Sequence, residues 1–265
     1  MARTRNIPTC VLIITLASGP LAADLLNRGF EAPSDPPLPG NYLTVGPGQE
    51  RTLGFCNWVV ELGTVDVVDA QAPLFGINWA SQPTIDGVQL LDLNGINNGT
   101  IRQTFGTIAN QAYTLTFGMT NNPLSGGPET GRVLVTDVLS GTVLLDLPLA
   151  HNNSTLTQPN WVTVTQPFTA TGTVTRIRFI STTTPDGGPS GGLIIDGVSI
   201  PGVTQLNLPG DMTNDGEVSV LDIPDFIAAL LGEPLSACAI DRSDVNGDTR
   251  SDGLDVQPFT DLLVP

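Results

Sequence analysis

The sequence predicts a mainly β protein, an antiparallel β-sandwich followed by a small α-helical module, and three observations lead to this fold class. The 265 residues include 29 Gly and 22 Pro but are only 14% charged, a composition typical of many turns and short strands. Segments of alternating apolar and polar residues recur between residues 25 and 201. From residue 209 to residue 265 the composition changes abruptly, to twelve acidic and two basic residues.

The charge of the whole chain excludes two classes of partner. The formal net charge is −16, and all ten basic residues are Arg. Non-specific binding to nucleic acid or to anionic membranes needs a basic face, because phosphate groups attract cations. We therefore expect no nucleic-acid partner. A chain without Lys also cannot form a Schiff base with a carbonyl substrate.

The N-terminus has the three-part pattern of a secretory signal peptide. Arg3 and Arg5 precede an apolar stretch at residues 10–17, and the small residues Ala22 and Ala23 follow it. The apolar stretch is too short for a permanent membrane span. The pattern predicts a signal peptide at residues 1–23 and a mature protein that is secreted, extracellular or at the cell surface, without a membrane span.

The β-sandwich is predicted from nine segments with strand patterns. Tyr113, Leu115 and Phe117 share one strand face while Thr114 and Thr116 lie on the other, which is the period of two of a half-buried strand. The segments are 64–69, 87–93, 101–105, 112–118, 132–137, 142–147, 161–165, 174–181 and 193–200. Nine or ten antiparallel strands in one domain predict a sandwich or jelly roll at residues 24–201, followed by a linker at 202–208.

Five short motifs in this region carry a family resemblance. They are LLNRGFE from residue 25, GVQLLDLNG from 87, IRQTF from 101, AYTLTFG from 112 and LIIDGVSI from 193. In this order they resemble the jelly-roll domain of bacterial choice-of-anchor surface proteins and of plant cell-wall proteins, which is related to galactose-binding-like modules. The resemblance implies a two-sheet jelly roll, secretion, and attachment to cell-wall or matrix polysaccharide, but no catalysis.

Binding of a carbohydrate polymer would need exposed aromatic rings, because sugar rings stack their C–H faces on them. Trp79 lies among polar residues in a predicted loop and is the best stacking candidate, although a buried loop anchor is the commoner fate of a Trp. The other aromatic candidates are Trp58, Trp161, Tyr42 and Tyr113. Trp58 lies at the start of a predicted strand and Trp161 begins another, so both are expected in the core. His151 is read as a loop residue.

The resemblance also implies a structural calcium ion in the jelly roll. In related carbohydrate modules the first and last strands meet, and a carboxylate from each helps to hold calcium. Glu31 and Asp196 occupy the matching motifs here. The alternative is that Glu31 is simply exposed and Asp196 is a turn residue before Gly197.

Two acidic segments repeat at an offset of 33 residues, DMTNDGEVSVLD from residue 211 and DVNGDTRSDGLD from residue 244. A cation such as Ca²⁺ needs six or seven oxygens from one tight loop, and each segment places oxygen donors at the spacing of a calcium loop. Positions 1, 3, 5, 7, 9 and 12 are Asp211, Thr213, Asp215, Glu217, Ser219 and Asp222 in the first segment, and Asp244, Asn246, Asp248, Arg250, Asp252 and Asp255 in the second. Position 7 contributes its backbone carbonyl.

Each loop is followed by residues with helical periodicity, and no comparable helix is predicted before either loop. The predicted apolar face of the first helix consists of Ile223, Phe226, Ile227, Leu230 and Leu231. That of the second consists of Val256, Phe259, Leu262 and Leu263. Two such half EF-hands resemble a type I dockerin over residues 208–264. The resemblance implies that residues 209–265 bind two Ca²⁺ ions and dock to a cohesin-like or other surface protein.

The second loop and the partner-selecting positions depart from the dockerin pattern. Position 6 is Gly216 in the first loop but Thr249 in the second, which predicts strain because this turn favours Gly. Positions 10 and 11, which often select the cohesin, are Val220 and Leu221 in the first loop, not a hydroxyl pair. The identity of the partner therefore stays open.

The sequence leaves the state of the two mature cysteines open. Cys56 lies in the predicted sandwich and Cys238 in the acidic module, so an interdomain bridge and two separate thiols are both consistent with it.

Taken together, the sequence predicts a secreted, non-catalytic protein that binds polysaccharide and docks through a calcium-dependent module. One alternative is a structural cell-surface or assembly subunit that binds no sugar. Another is an accessory part of a polysaccharide-degrading system. A glycosidase or lyase is a further alternative, because dockerins are often attached to enzymes.

Overall fold

Two antiparallel sheets and three short helices make up the computed structural model, which describes residues 23–32, 41–49, 53–71, 85–124, 128–183, 191–206, 208–214 and 216–264. The first sheet has the order β1(Tyr42–Val45), β3(Val65–Asp69), β4(Gln89–Asp92), β11(Leu193–Ser199), β6(Ala112–Asn121), β9(Val162–Thr169). The second has the order β12(Thr204–Gln205), β5(Thr100–Gly106), β10(Val174–Ser181), β7(Glu129–Asp137), β8(Val143–His151), and β2(Val59–Leu62) also pairs with β5. The predicted mainly β fold class is confirmed.

Alternating residues of both sheets build the main core between them. In β10, Ile177 and Phe179 are fully buried, while Arg176 and Arg178 point away from the core. Trp58 stands at the centre of this layer, with its ring centroid 5.5 Å from that of Phe30 and 6.1 Å from that of Phe179. Its Nε1 donates to the carbonyl of Asn27 at 3.0 Å, so the expectation that Trp58 is a core residue is met.

The two ends of the sandwich sequence meet in space. Ala23 bridges to Val203, and the Asp24 carboxylate accepts hydrogen bonds from Ile200 N at 2.6 Å and from Ser199 Oγ at 2.5 Å. These contacts attach the start of the described chain beside the end of β11. The predicted signal peptide lies outside the described residues except for Ala23, and it stays a prediction.

Three helices follow the strands: α1(Ile223–Leu230), α2(Ala237–Ser243) and α3(Val256–Leu263). The predicted helices after the two loops correspond to α1 and α3. Their apolar faces are narrower than predicted, because Ile227, Leu231, Val256 and Leu262 are exposed. The expectation that no helix precedes either loop is wrong for the second loop, because α2 ends at Ser243. Ser236 caps α2 by accepting a hydrogen bond from Ala239 N at 3.3 Å, and seven residues are too few to show a helical period in the sequence. Across the described ranges, no helix is long and apolar enough to cross a membrane.

A disulfide joins the sandwich to the helical module. Cys56 and Cys238 are bonded, with their Cα atoms 6.0 Å apart and a sequence separation of 182. Of the two alternatives left open by the sequence, the structure therefore contains the interdomain bridge. Next to it, Arg102 Nη1 of β5 donates to the carbonyl of Asn214 at 3.3 Å.

Candidate functional site

The first loop, residues 211–222, is closed by the carboxylate at its last position. Asp222 is fully buried, and its Oδ1 accepts hydrogen bonds from Thr213 N at 2.8 Å and from Thr213 Oγ1 at 3.0 Å. Its Oδ2 accepts from Ser219 N at 2.8 Å. One side chain thus holds the two halves of the loop together, immediately before α1 begins.

The start of the first loop wraps around a second buried carboxylate. Asp211 is fully buried, and its Oδ2 accepts from Gly216 N at 2.8 Å. Gly216 has φ of +92°, and a Cβ placed on it would lie 2.9 Å from Thr104 Cγ2 of the sandwich. Both the backbone conformation and the available space therefore require Gly at position 6. Asp215, predicted at position 5, lies outside the described residues.

The second loop, residues 244–255, repeats this pattern. Asp255 is fully buried; its Oδ1 accepts from Val245 N at 2.8 Å and from Asn246 N at 3.0 Å, and its Oδ2 accepts from Asp252 N at 2.8 Å. At position 1, the Oδ2 of Asp244 accepts from Thr249 N at 2.7 Å. The first and last carboxylates thus organise both loops in the same way, although the residues between them differ.

Position 6 of the second loop has a backbone conformation that favours Gly, but the residue there is Thr249. Thr249 has φ of +72°, a left-handed conformation that is rare for a β-branched residue. The loop imposes this conformation because Asp244 also accepts from Gly247 N at 2.8 Å and from Asp248 N at 3.0 Å. The strain that the sequence predicts at Thr249 therefore has a structural basis.

The donor chemistry of the two loops fits calcium. Among the described residues, no three His, Cys, Asp or Glu side chains are grouped so that they alone could hold a metal ion. The residues at the ligand positions of both loops instead offer a mixed oxygen set of carboxylates, Asn and hydroxyl side chains and backbone carbonyls, which is the set that Ca²⁺ prefers. Three of these carboxylates, those of Asp211, Asp222 and Asp255, are fully buried in a segment with a net charge of −10. Buried charges of one sign are costly unless a cation compensates them.

Arg242 of α2 supplies one compensating charge at the first loop, which the sequence reasoning missed. The residue is 4% exposed, and its backbone carbonyl accepts from Gly210 N at 2.8 Å. Burial lowers the pKa of its guanidinium, while the charges of Asp211, Asp241 and Asp222 raise it. A signal was available in the sequence, because Arg242 and Arg250 are the two basic residues of the module.

The two loop–helix units share one small core. Phe226 of α1 and Phe259 of α3 stack with ring centroids 3.9 Å apart, and these residues are 33 positions apart in sequence. Met212 and Ala239 are buried beside them. Each unit therefore covers the apolar face of the other, and neither would bury its Phe alone.

In the jelly roll, Glu31 and Asp196 hold the same backbone segment. Glu31 Oε1 accepts from Val88 N at 2.8 Å and from Gln89 N at 2.7 Å, and Asp196 Oδ2 accepts from Ile85 N at 2.8 Å. Burial raises the pKa of Asp196 to about 7. The two carboxylates thus approach one segment, as the resemblance implies, but the oxygens named here accept bonds from amides. A jelly-roll calcium ion stays a prediction.

The aromatic candidates separate into core and surface residues. Trp79 lies outside the described residues, so its stacking role also stays a prediction. Tyr113 is buried and stacks on Phe168, with ring centroids 5.7 Å apart. Trp161, which was expected in the core, instead packs with Tyr42 against a small apolar cluster on the outer face of the first sheet.

A carboxylate pair on that outer face was not predicted. Asp66 of β3 lies opposite Asp92 of β4, and Asp92 accepts from Asn94 N at 2.9 Å, Gly192 N at 2.8 Å and Asn122 Nδ2 at 3.1 Å. Burial, and then the charge of Asp66, raise the pKa of Asp92 to about 7. These hydrogen bonds attach the segment before β11 and the end of β6 to β4. No sequence period distinguishes this Asp from a surface residue.

His151 is not the loop residue that the sequence suggested. It is the last residue of β8 and is 7% exposed, with Nδ1 2.6 Å from Asn121 Oδ1. Burial lowers the pKa of the imidazole. The side chain closes one end of the sandwich beside Glu129, its neighbour on β7.

Comparison with known proteins identifies both parts of the chain. Residues 23–201 match the family described as a protein of unknown function, DUF642, and residues 209–259 match the dockerin type I domain. The chain belongs to the DUF642 family. Both resemblances drawn from the sequence are confirmed, and the dockerin match implies calcium binding in this DUF642 protein.

Solved structures similar to this DUF642 protein include three carbohydrate-binding modules. A family 61 module in complex with β-1,4-galactotriose is 15% identical, covers 66% of this chain and 95% of its own, and has a TM-score of 0.39. The CBM22-1 xylan-binding domain of Paenibacillus barcinonensis Xyn10C is 12% identical, with coverages of 70% and 97% and a TM-score of 0.37. The CBM35 of Cellvibrio japonicus Abf62 is 16% identical, with coverages of 62% and 96% and a TM-score of 0.38. No curated protein matches the chain.

The raised pKa of Asp92 predicts a pH-dependent stability of the jelly roll. An Asp with a pKa near 3.8 when unfolded and about 7 when folded keeps its proton longer in the folded state, so stability falls as pH rises between these values. Replacing Asp92 by Asn removes this loss. Relative to wild type, we expect D92N to gain roughly 1–2 kcal/mol of unfolding free energy between pH 5.5 and pH 7.5.

Urea unfolding in excess calcium at both pH values measures this gain. The exposed Asp261 of α3 provides the control, because D261N changes a carboxylate that is not buried. An equal pH dependence for D92N and wild type would contradict the assignment of the buried carboxyl.

Proposed function

We propose that this DUF642 protein is a secreted, non-catalytic adhesion protein whose jelly roll binds a carbohydrate polymer and whose dockerin docks to a cohesin-like protein when both loops hold calcium. The observation that carries the proposal is the repeated geometry of the two loops. In each, the carboxylates at positions 1 and 12 accept hydrogen bonds from backbone amides of the loop, and the position-12 Asp is fully buried.

Two calcium ions follow from this repetition. Asp222 and Asp255 each draw both halves of a loop together through hydrogen bonds to backbone amides, and each loop has oxygen-bearing residues at the spacing that calcium loops use. The shared core of Phe226 and Phe259 links the two units, because each covers the other's apolar face. We therefore propose that calcium binding orders the whole module and not one loop alone.

The docking surface is proposed at apolar residues that the two repeats expose in equivalent positions. Leu221 and Leu254, both at position 11, are 65% and 67% exposed, and Val220 beside the first of them is also exposed. Exposed leucines next to two ion-organised helices suit a partner with an apolar surface patch. They do not offer the hydroxyl groups of the best-known dockerins, which supports a partner of different selectivity.

For carbohydrate, Trp79 remains the proposed stacking residue. Trp161 and Tyr42, also among the aromatic candidates of the sequence, are half-buried on one face of the first sheet and are proposed beside it. Hydroxyl-bearing side chains such as Thr163 and Thr165 lie beside Trp161 along β9 and are suited to hydrogen bonding with sugar hydroxyls.

A structural subunit that binds no sugar is the second candidate. The observation that favours it is the burial of the cluster beneath Trp161. Leu90 and Ile194 are fully buried and Val68 is 5% exposed, so this face does not present a wide open platform for a polymer.

Calcium titration of the full chain tests the metal proposal. We expect wild type to bind two ions, and Asp222→Ala and Asp255→Ala to bind one each, because each substitution removes the carboxylate that closes one loop. Isothermal calorimetry gives the stoichiometry. Asp261→Ala, an exposed Asp outside both loops, should still bind two ions. A wild-type protein that binds no calcium would overturn the proposal.

Binding to a panel of insoluble polysaccharides distinguishes the two candidate functions. We expect wild type to sediment with at least one polymer, and Trp79→Ala or Trp161→Ala to reduce the bound fraction severalfold through loss of a stacking ring. Leu139→Ala, which changes an exposed apolar residue of the β7–β8 turn, serves as the control. If wild type binds none of the polymers, the structural-subunit function is favoured.

Introducing positive charge at the proposed docking surface tests whether the partner binds there. The double variant Leu221→Arg and Leu254→Arg would place two buried, unpaired cations in an apolar interface. We therefore expect at least a tenfold loss of affinity for a cohesin-like partner, which corresponds to about 1.4 kcal/mol. Surface plasmon resonance in calcium measures the affinity, and Leu139→Arg is the matched control. Unchanged binding of the double variant would exclude this surface.

A further inference from the structure

The first calcium loop contacts the jelly roll directly. Arg102 Nη1 of β5 donates to the carbonyl of Asn214 at 3.3 Å, and Thr104 of the same strand lies against Gly216. The disulfide of Cys56 and Cys238 lies in the same region. There Cys56 and Trp58 of the jelly roll line one cleft together with residues 212–214 of the loop.

The second loop occupies a different environment. Its residues 246–250 are all exposed, whereas Thr213, Asn214 and Gly216 at corresponding places of the first loop are half-buried. The two loops carry the same first and last carboxylates, so this difference comes from the surroundings and not from the loops themselves.

Helix α2 connects the disulfide to the first loop. Cys238 stands near its start and Arg242 one turn later, where Nη1 of Arg242 donates to the Cys238 carbonyl at 3.3 Å. The Arg242 carbonyl accepts from Gly210 N at 2.8 Å, and its guanidinium faces Asp211 and Asp222. A shift of α2 away from Cys56 would therefore move groups that position the first residue of the loop.

Arg102 is itself held in place on the jelly-roll side. Its Nε lies 2.9 Å from Glu61 Oε1, and the same Glu61 accepts from Arg178 at 2.6 Å, while Arg102 and Arg178 are opposite each other on β5 and β10. The ion pairs are largely shielded from solvent, with the Arg102 side chain 9% exposed. The ion pair with Glu61 thus holds the Arg102 guanidinium in the position from which it donates to the Asn214 carbonyl.

We propose that the first calcium loop is part of the joint between the two modules, so that calcium binding at this loop and the disulfide-linked docking on β5 stabilise each other. The second loop follows α2 directly, and Ser243 of α2 bonds to Ser251 at 2.7 Å, so it is coupled to the disulfide through α2 and more weakly than the first loop, which also contacts β5. The inference rests on the proposed calcium binding of both loops. Two equilibria that share one set of contacts are coupled by the same free energy in both directions. Calcium therefore strengthens the joint by the factor by which the joint strengthens calcium binding.

Calorimetry in single-loop backgrounds tests one direction of the coupling. In the full chain, Asp244→Ala leaves the first loop as the binding site, and Asp211→Ala leaves the second. Removing the disulfide with Cys56→Ser and Cys238→Ser is expected to weaken calcium binding about tenfold in the Asp244→Ala background, within the usual range of coupling energies, and to weaken it by a clearly smaller factor in the Asp211→Ala background. Equal effects in both backgrounds, or no effect in either, would overturn the inference.

The opposite direction is tested on wild type without any substitution. Dithiothreitol donates two electrons to the Cys56–Cys238 bond and leaves two thiols, which alkylation and mass spectrometry count. We expect millimolar calcium to slow this reduction severalfold compared with chelator. The protection should fall more in Asp211→Ala than in Asp244→Ala, and an equal fall or the reverse order would contradict the inference.

Two arginines on the same sheet face, one in the joint and one outside it, allow a matched test of the hydrogen bond to Asn214. Arg102→Gln shortens the donor that reaches Asn214, whereas Arg132→Gln changes an exposed Arg on β7 that pairs with Asp146. We expect faster reduction in calcium for the first variant and wild-type behaviour for the second. If wild type binds two ions but all these measurements are insensitive to calcium, the joint proposal fails while the calcium proposal stands; if wild type binds no calcium, both fail.

Discussion

The burial of like-charged carboxylates is the constraint on which the C-terminal module depends. Asp211, Asp222 and Asp255 are fully buried in a segment of 57 residues with a net charge of −10, which offers only Arg242 and Arg250 in return. Backbone amides satisfy the hydrogen-bonding capacity of these carboxylates but not their charge. We therefore expect folding of the module to depend on bound cations that compensate the buried carboxylates, because the core around the two stacked Phe rings is too small to stabilise the module without these cations.

The parts of the structure that follow from local periodicity could be predicted from the sequence. Strands such as β10, with alternating Arg and apolar residues, and the oxygen spacing of both loops are local signals, because each is set by residues two to twelve positions apart. The helix α2, the burial of Asp92 and the position of His151 could not be predicted in this way. Each depends on contacts between distant segments, such as Asp92 with Gly192 and His151 with Asn121, which leave no period in the sequence.

The disulfide is another contact between distant segments that the sequence could not predict, and it affects the arrangement of the whole chain. Sequence alone allowed two free thiols, because Cys56 and Cys238 are 182 residues apart and lie in segments of different character. Their bond turns two modules that a linker would leave independent into one unit with a defined contact. A bridge of this kind agrees with export to an oxidising compartment, which the N-terminal residues predict independently.

The joint breaks the internal symmetry of the dockerin without covering its outward face. The repeat places Leu221 and Leu254 in equivalent positions, and both stay more than three-fifths exposed although the loop that contains Leu221 contacts the jelly roll through Asn214 and Gly216. One side of the first loop is thus used within the chain, while its other end remains accessible to a second protein. The two repeated loops of the module thus have different surroundings: the first contacts the jelly roll, whereas Leu221 and Leu254 stay exposed at equivalent positions of both.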